Sequence, residues 1–388
     1  FLYCFSYLIL FLGILSSLII FQNILKKKVY NFFDIENFLL TLILFGLFLI
    51  SISPVTHADS LDYHINGAIN LINTGHFHRE ILPMHDHLVS LGEIIISLGL
   101  ILGAEQLGSL IQYGSLFSLI PIFNQLKNKS NSFLIFILIT PITLFLVSSP
   151  KPQILYSIST LVIFSILIYI DKKKIEKFDY VLPFLVTVLF INVIVKYSFI
   201  LSSFLIYLFI IYICWKRSKL ITLFFTSLII FVFLYIPIWN FRYVNFGTVF
   251  PDLILSPLPI NLYAFKNHHD LLSGGSIKIL SVIVPKNLAE FSHTYGPIIL
   301  LFFLLINKKI SNYKIPSMLV IFFILGVFFY GSNLSRFLYE GFLWFTFLIY
   351  LISSEKKITT KIFKISTFVQ SILILIIMSF FVANIGIG

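Results

Sequence analysis

The sequence predicts an all-α polytopic membrane protein with about 12 transmembrane helices and interfacial helices in its first outer loop. Three observations carry that expectation. Hydrophobic residues fill 59% of the 388 positions, with a mean hydropathy of +1.01. Apolar runs recur along the whole chain, and lysine clusters punctuate them. A soluble chain of this length needs far more polar surface. Spans of about 20 residues each leave only loops between them, so residues 1–388 read as a single integral membrane domain with no large soluble part.

The runs able to span lie near 4–22, 38–54, 107–124, 131–149, 153–170, 180–195, 198–214, 219–238, 294–307, 316–331, 336–353 and 363–384. The first, Phe1 to Phe21, is too long and too weakly flanked for a cleavable signal and reads as a spanning helix. A further run, 88–104, decides the parity. If it crossed, the basic clusters after it would change sides relative to Lys26, Lys27 and Lys28. If it stays in the interface, Lys127 and Lys129, Lys172 to Lys174, Lys216 to Lys219, Lys308 and Lys309, and Lys356 and Lys357 all face the cytoplasm. The positive-inside rule therefore makes 88–104 non-spanning and puts both termini outside. The net charge of +11 is topological and calls for no nucleic acid. Cys4 and Cys214 both lie inside apolar runs, so neither a disulfide framework nor a CxxC site is expected.

Two sizeable outer loops follow, 55–106 and 239–293, while the inner loops are short. All nine histidines fall in the outer loops. Three of the four arginines, Arg79, Arg242 and Arg336, are also expected outside, against the lysine trend. Arginine presents a planar fork suited to phosphate. The first loop contains Asp59, Asp62, Tyr63 and His64, then a stretch in which Ile65, Ala68, Ile69 and Ile72 recur at helical spacing. That predicts a short surface helix ending at Gly75, with Asp59 or Ser60 as N-cap. Asp59 would sit just past the outer end of the helix 38–54, where partial burial makes a carboxylate a usable base. His85-Asp86-His87 alternate so that both imidazoles could share a divalent ion or bind substrate; the spacing matches no metal signature, and no metal or cofactor is assigned. Glu93 occupies an apolar-flanked interfacial position that is expensive for a carboxylate.

The order of these features resembles the GT-C glycosyltransferases, the superfamily of protein O-mannosyltransferases and of bacterial aminoarabinose transferases acting on lipid A. The resemblance rests on Asp59-x-x-x-Tyr63, Asn73-Thr74-Gly75-His76-Phe77 and Pro83, then Leu91-Gly92-Glu93 to Glu105, and Lys196-Tyr197-Ser198. It continues with Pro237-Ile238-Trp239-Asn240-Phe241-Arg242, Asn245 to Pro251, and Arg336-Phe337-Leu338. Ser60 stands where many members carry Glu, and Met84 to Leu88 replaces their Pro-Pro-Leu element. The resemblance implies inverting transfer of a sugar from a polyprenyl-phosphate donor to an acceptor hydroxyl of a glycan, lipid or protein. It would occur at the outer face of a bacterial inner membrane, with Asp59 as the catalytic base. Arg242, Lys196 and Arg336 would clamp the lipid phosphate, and Lys151 is a weaker candidate. Asp62, Tyr63, His64, His85, His87 and Glu93 would complete the substrate site. The rivals are a transporter or flippase of lipid-linked glycans, a glycan polymerase or ligase, and a membrane scaffold. Helix centres almost free of charge speak against transport.

Overall fold

The computed structural model describes residues 35–56, 60–75, 92–124, 132–151, 153–172, 178–246, 294–296, 313–330 and 335–353, with 365, 368 and 370–372. Every regular element among them is helical. In chain order they are α1 (Ile35–Ser51), α2 (Asn66–Thr74), α3 (Gly92–Ile101), α4 (Leu107–Asn124), α5 (Ser132–Leu138), α6 (Pro141–Val147), α7 (Ile154–Asp171), α8 (Phe178–Val195), α9 (Ile200–Lys216), α10 (Leu220–Phe246), α11 (Lys314–Tyr330) and α12 (Tyr339–Ser353). Among the described residues, four segments are long and apolar enough to cross a membrane: Ile154–Asp171, Phe178–Val195, Tyr197–Lys216 and Leu220–Asn240. Most predicted runs coincide with these helices to within a few residues. The run 4–22, and most of 294–307 and of 363–384, lie outside the described residues.

Helix α7 is the axis of the bundle and packs against α4, α8, α9 and α12. Its Leu161, Phe164, Leu167 and Ile170 are fully buried, as expected of a helix apolar on all sides and enclosed by neighbours. Trp344 of α12 stacks on Phe164 at 5.1 Å, lies 5.2 Å from Phe323 of α11, and donates its indole N–H to Thr160 Oγ1 at 3.1 Å. That bond removes the cost of burying an indole donor. Helix α10 packs on α8 and α9 but leaves Ile221 and Phe233 about three-quarters exposed, a face suited to lipid.

Four local expectations are corrected. The run 131–149 is two short helices, because Pro141 lacks an N–H and holds Thr140 extended at φ −76°, ψ 132°. The backbone groups freed by the break are satisfied by other chain segments. Gln370 Nε2 donates to Ile139 O at 3.2 Å, and Ile142 N–H donates to Thr294 O at 3.1 Å. The outer loop expected from 239 begins as helix, since α10 runs through Pro237 to Phe246; residues 247–293 lie outside the described residues apart from this start. The helix after His64 is α2, ending at Gly75 with φ 75°. Its N-terminus is not capped by Ser60, because a π-helical turn, Ser60–Ile65, precedes it. Finally, α2 buries Ile65, Ala68 and Leu71, packing on α3, while Ile69 turns outward. One face of the helix therefore rests on α3. The described helix of the run 88–104 is α3, 10 residues or about 15 Å long.

Candidate functional site

The two ends of the bundle differ chemically. At one end, α7 finishes, α8 starts, α9 finishes and α10 starts. There Lys216 pairs with Asp171 at 2.8 Å, Lys219 with Asp179 at 3.0 Å, and Arg217 Nη2 donates to Ile170 O at 2.9 Å. Lys172 lies 3.4 Å above the Tyr313 ring. These are half-exposed pairs of the sort that anchor a helix end in water. The opposite end, about 27 Å away along the 18 residues of α7, holds buried polar groups.

That end is built on the turn Ser149 to Gln153 between α6 and α7. Gln112 of α4 organises it. Its side-chain oxygen accepts from Ile154 N–H at 2.7 Å and Leu155 N–H at 3.1 Å, while its amide donates to Lys151 O. A side chain from another helix thus caps the first turn of α7. Gly108 lets the same helix approach: an added Cβ would lie 2.8 Å from Pro150 Cα. The turn consequently holds Lys151, only 4% exposed, inside the protein. Burying a lysine so completely is costly unless charge or hydrogen bonds compensate.

Lys196 enters from the break between α8 and α9, where its own backbone is extended and a 3₁₀ turn, Tyr197–Phe199, follows. Its ammonium donates to Gln153 Oε1 at 2.6 Å. Desolvation, then the nearby Arg336 and Lys151 charges, bring its pKa down to about 7 against the partial opposition of Glu93 and Glu340. Arg336 lies on the 3₁₀ turn Ser335–Leu338, its guanidinium 5.5 Å from the Phe337 ring. Glu340, 2% exposed, follows in the first turn of α12; its carboxyl is hydrogen-bonded by Ser202 of α9, and its Oε2 has no partner among the described residues. Gln153 Nε2 is likewise buried without a partner among them.

A further pair comes from the π-helical turn before α2 and from α3. His64 Nδ1 lies 2.7 Å from Glu93 Oε1, with the two residues 5% and 1% exposed. Burial lowers the His64 pKa; Glu93 opposes the shift, and Lys196 and Lys151 add to it. Ser60 Oγ sits 3.0 Å from Ser149 Oγ, fastening the π-helical turn to the Lys151 turn.

Of the residues expected from sequence, the structure brings together His64, Glu93, Lys196 and Arg336, with Lys151. Asp62 and Tyr63 lie on the π-helical turn, and Arg242 lies on α10. Asp59, His85 and His87 fall outside the described residues, as does the possible metal position at the last two. Among the described residues, no group of three or more His, Cys, Asp or Glu side chains could hold a metal ion. Sequence reasoning missed Gln112, Gln153 and Glu340. Their signal was a hydrogen-bonding or acidic side chain beside or within an apolar run, which the other outer-end residues made easy to overlook.

Fold and site define an all-helical protein with membrane-length helices and a buried, cation-rich polar site at one end of its bundle. The chain belongs to the DUF1420 N-terminal domain family, whose profile matches residues 10–388. No curated protein and no solved structure matches it.

Proposed function

We propose that this protein is a membrane glycosyltransferase of GT-C type, with about 12 spans, that moves a sugar from a polyprenyl-phosphate donor to an acceptor hydroxyl at the outer face. The observation that carries the proposal is that Lys151, 4% exposed, and Arg336, from distant parts of the chain, come near enough to Lys196 for their charges to act on it. A desolvated lysine whose proton affinity is lowered further by two neighbouring cations is a place where an added anion is favoured. A phosphate leaving a glycosidic carbon supplies one, and its developing charge is what such a site stabilises. Snorkelling explains a cation that reaches water, not Lys151. Glu340 and Gln153 offer an acceptor and a donor suited to sugar hydroxyls. Asp59 remains the base that the family resemblance implies. The catalytic face would be periplasmic or extracellular, opposite the lysine end.

The test is release of polyprenyl phosphate from short-chain polyprenyl-phosphate hexoses and pentoses by the full chain in lipid nanodiscs. Turnover that falls about 100-fold in Lys196→Met is expected, on the scale of one lost electrostatic contact in a transfer site. No release from any donor, in the presence of lipid, glycan and peptide acceptors, would end the transferase reading. The broken helix α5–α6 favours a second reading, transport of the same lipid-linked glycans, because transporters often use discontinuous helices. Asp59→Asn separates the two: a transferase loses turnover and keeps donor binding, whereas a flippase still moves lipid between leaflets.

A further inference from the structure

Resting on that transferase reading and departing from it only in the identity of the base, we infer that His64 and Glu93, in place of Asp59, form the proton-accepting pair of the site, with His64 taking the acceptor proton and Glu93 positioning the imidazole.

With Glu93 as an accepting carboxylate, the 2.7 Å contact takes the imidazole proton on Nδ1 and leaves Nε2 as the basic nitrogen. Both side chains are almost wholly enclosed, so the pair is held by packing and does not sample solvent rotamers. Glu93 comes from α3 and His64 from the turn before α2, two elements that pack on each other and are hung from the Lys151 turn by Ser60 and Ser149. The groups facing the pair are Lys151 on the α6–α7 turn, Lys196 on the α8–α9 break and Tyr156 on α7. Burial, with a smaller contribution from the two cations, favours the neutral imidazole, the form able to accept a proton, while the Glu93 carboxylate stabilises the imidazolium once formed.

The step balances. The acceptor O–H bond breaks as its oxygen bonds the anomeric carbon, and the proton passes to His64 Nε2. The bond from that carbon to the phosphate oxygen breaks, and its electron pair leaves on phosphate beside Lys151, Lys196 and Arg336. The imidazolium is created as negative charge arrives on the phosphate, so the pocket changes little in net charge during the reaction.

Two measurements on the full chain in nanodiscs test the pair. The first is the pH profile of polyprenyl-phosphate release in wild type, His64→Asn, Glu93→Gln and Glu93→Asp. His64→Asn is expected to lower kcat by about 10²- to 10⁴-fold, to leave farnesyl phosphate affinity unchanged and to erase the acidic limb of the profile. Glu93→Gln should move that limb to lower pH, because the carboxylate that raises the proton affinity of His64 is gone, and Glu93→Asp should restore part of the shift. Turnover and an acidic limb that persist in His64→Asn, but vanish in Asp59→Asn, would overturn the inference. The second measurement is ¹⁵N NMR of histidine-labelled protein, with the His64 signal assigned by its loss in His64→Asn. A neutral ring protonated at Nδ1 at pH 7 supports the pair; an imidazolium or the Nε2–H tautomer overturns it. If wild type releases no polyprenyl phosphate, the transferase reading fails, and the NMR result still judges the pair as a proton acceptor.

Discussion

Lys196 is the residue whose charge state should be easiest to read. With its proton affinity reduced to about pH 7 from 10.5, the folded protein resists holding this ammonium between those values while the unfolded chain holds it freely. Stability without ligand should therefore rise as pH climbs from about 7 towards 10.5, since the unfolded state binds more protons in that window. Phosphate binding does the reverse, because it favours the ammonium. Farnesyl phosphate affinity, measured calorimetrically, should be greatest below about pH 7 and fall above it by up to about tenfold per pH unit. Lys196→Arg, charged throughout, should flatten that slope; an equally steep slope in the variant would assign the titration to another group. Lys196 and Arg336 could be singled out from the sequence because cations at outer helix ends are visible as such. Glu340 could not, for a carboxylate four residues past an arginine reads as an ordinary ion-pair spacing until the fold encloses it.

At the scale of elements, apolar length was a good guide to where helices run and a poor guide to where they stop. Runs such as 153–170 became single helices because hydropathy reports burial. The run 131–149 broke because one missing N–H at Pro141 outweighs its apolar character, and the apolar face of α2 turned because α3 covers it. Two contacts between elements carry measurable consequences. Gly108→Ala must push the Pro150 turn away from α4, an overpacking cost of about 1–3 kcal/mol. Because Lys151 rides on that turn, weaker farnesyl phosphate binding should accompany the loss of thermal stability. Trp344→Ala removes the wedge between α7 and α11 and the bond to Thr160. Denaturation in detergent should show it less stable by about 3–5 kcal/mol, with pH dependence of binding intact in the folded fraction, since Trp344 lies outside the polar site.

At the scale of the whole molecule, the described charges divide by place: exposed ion pairs at one end of the bundle, Lys151, Lys196 and Arg336 at the other. If the bundle spans as its four long helices suggest, a cysteine at Ser218 should react only with reagents on the cytoplasmic side, and one at Asn66 only with reagents on the outer side. Labelling of both from the same side would remove the topology on which an exoplasmic site depends. The bare face of α10 gives an independent check. A nitroxide at Phe233, 73% exposed, should be relaxed by oxygen far more than by a water-soluble nickel complex, the signature of acyl chains.

The cap that Gln112 places on α7 has one more consequence. Because the donors at the start of the central helix are answered by a side chain of a different helix, α4 and α7 are latched into one lever. Any rearrangement that opens the bundle to a long isoprenoid tail must swing them together, so a disulfide engineered between them should leave turnover untouched.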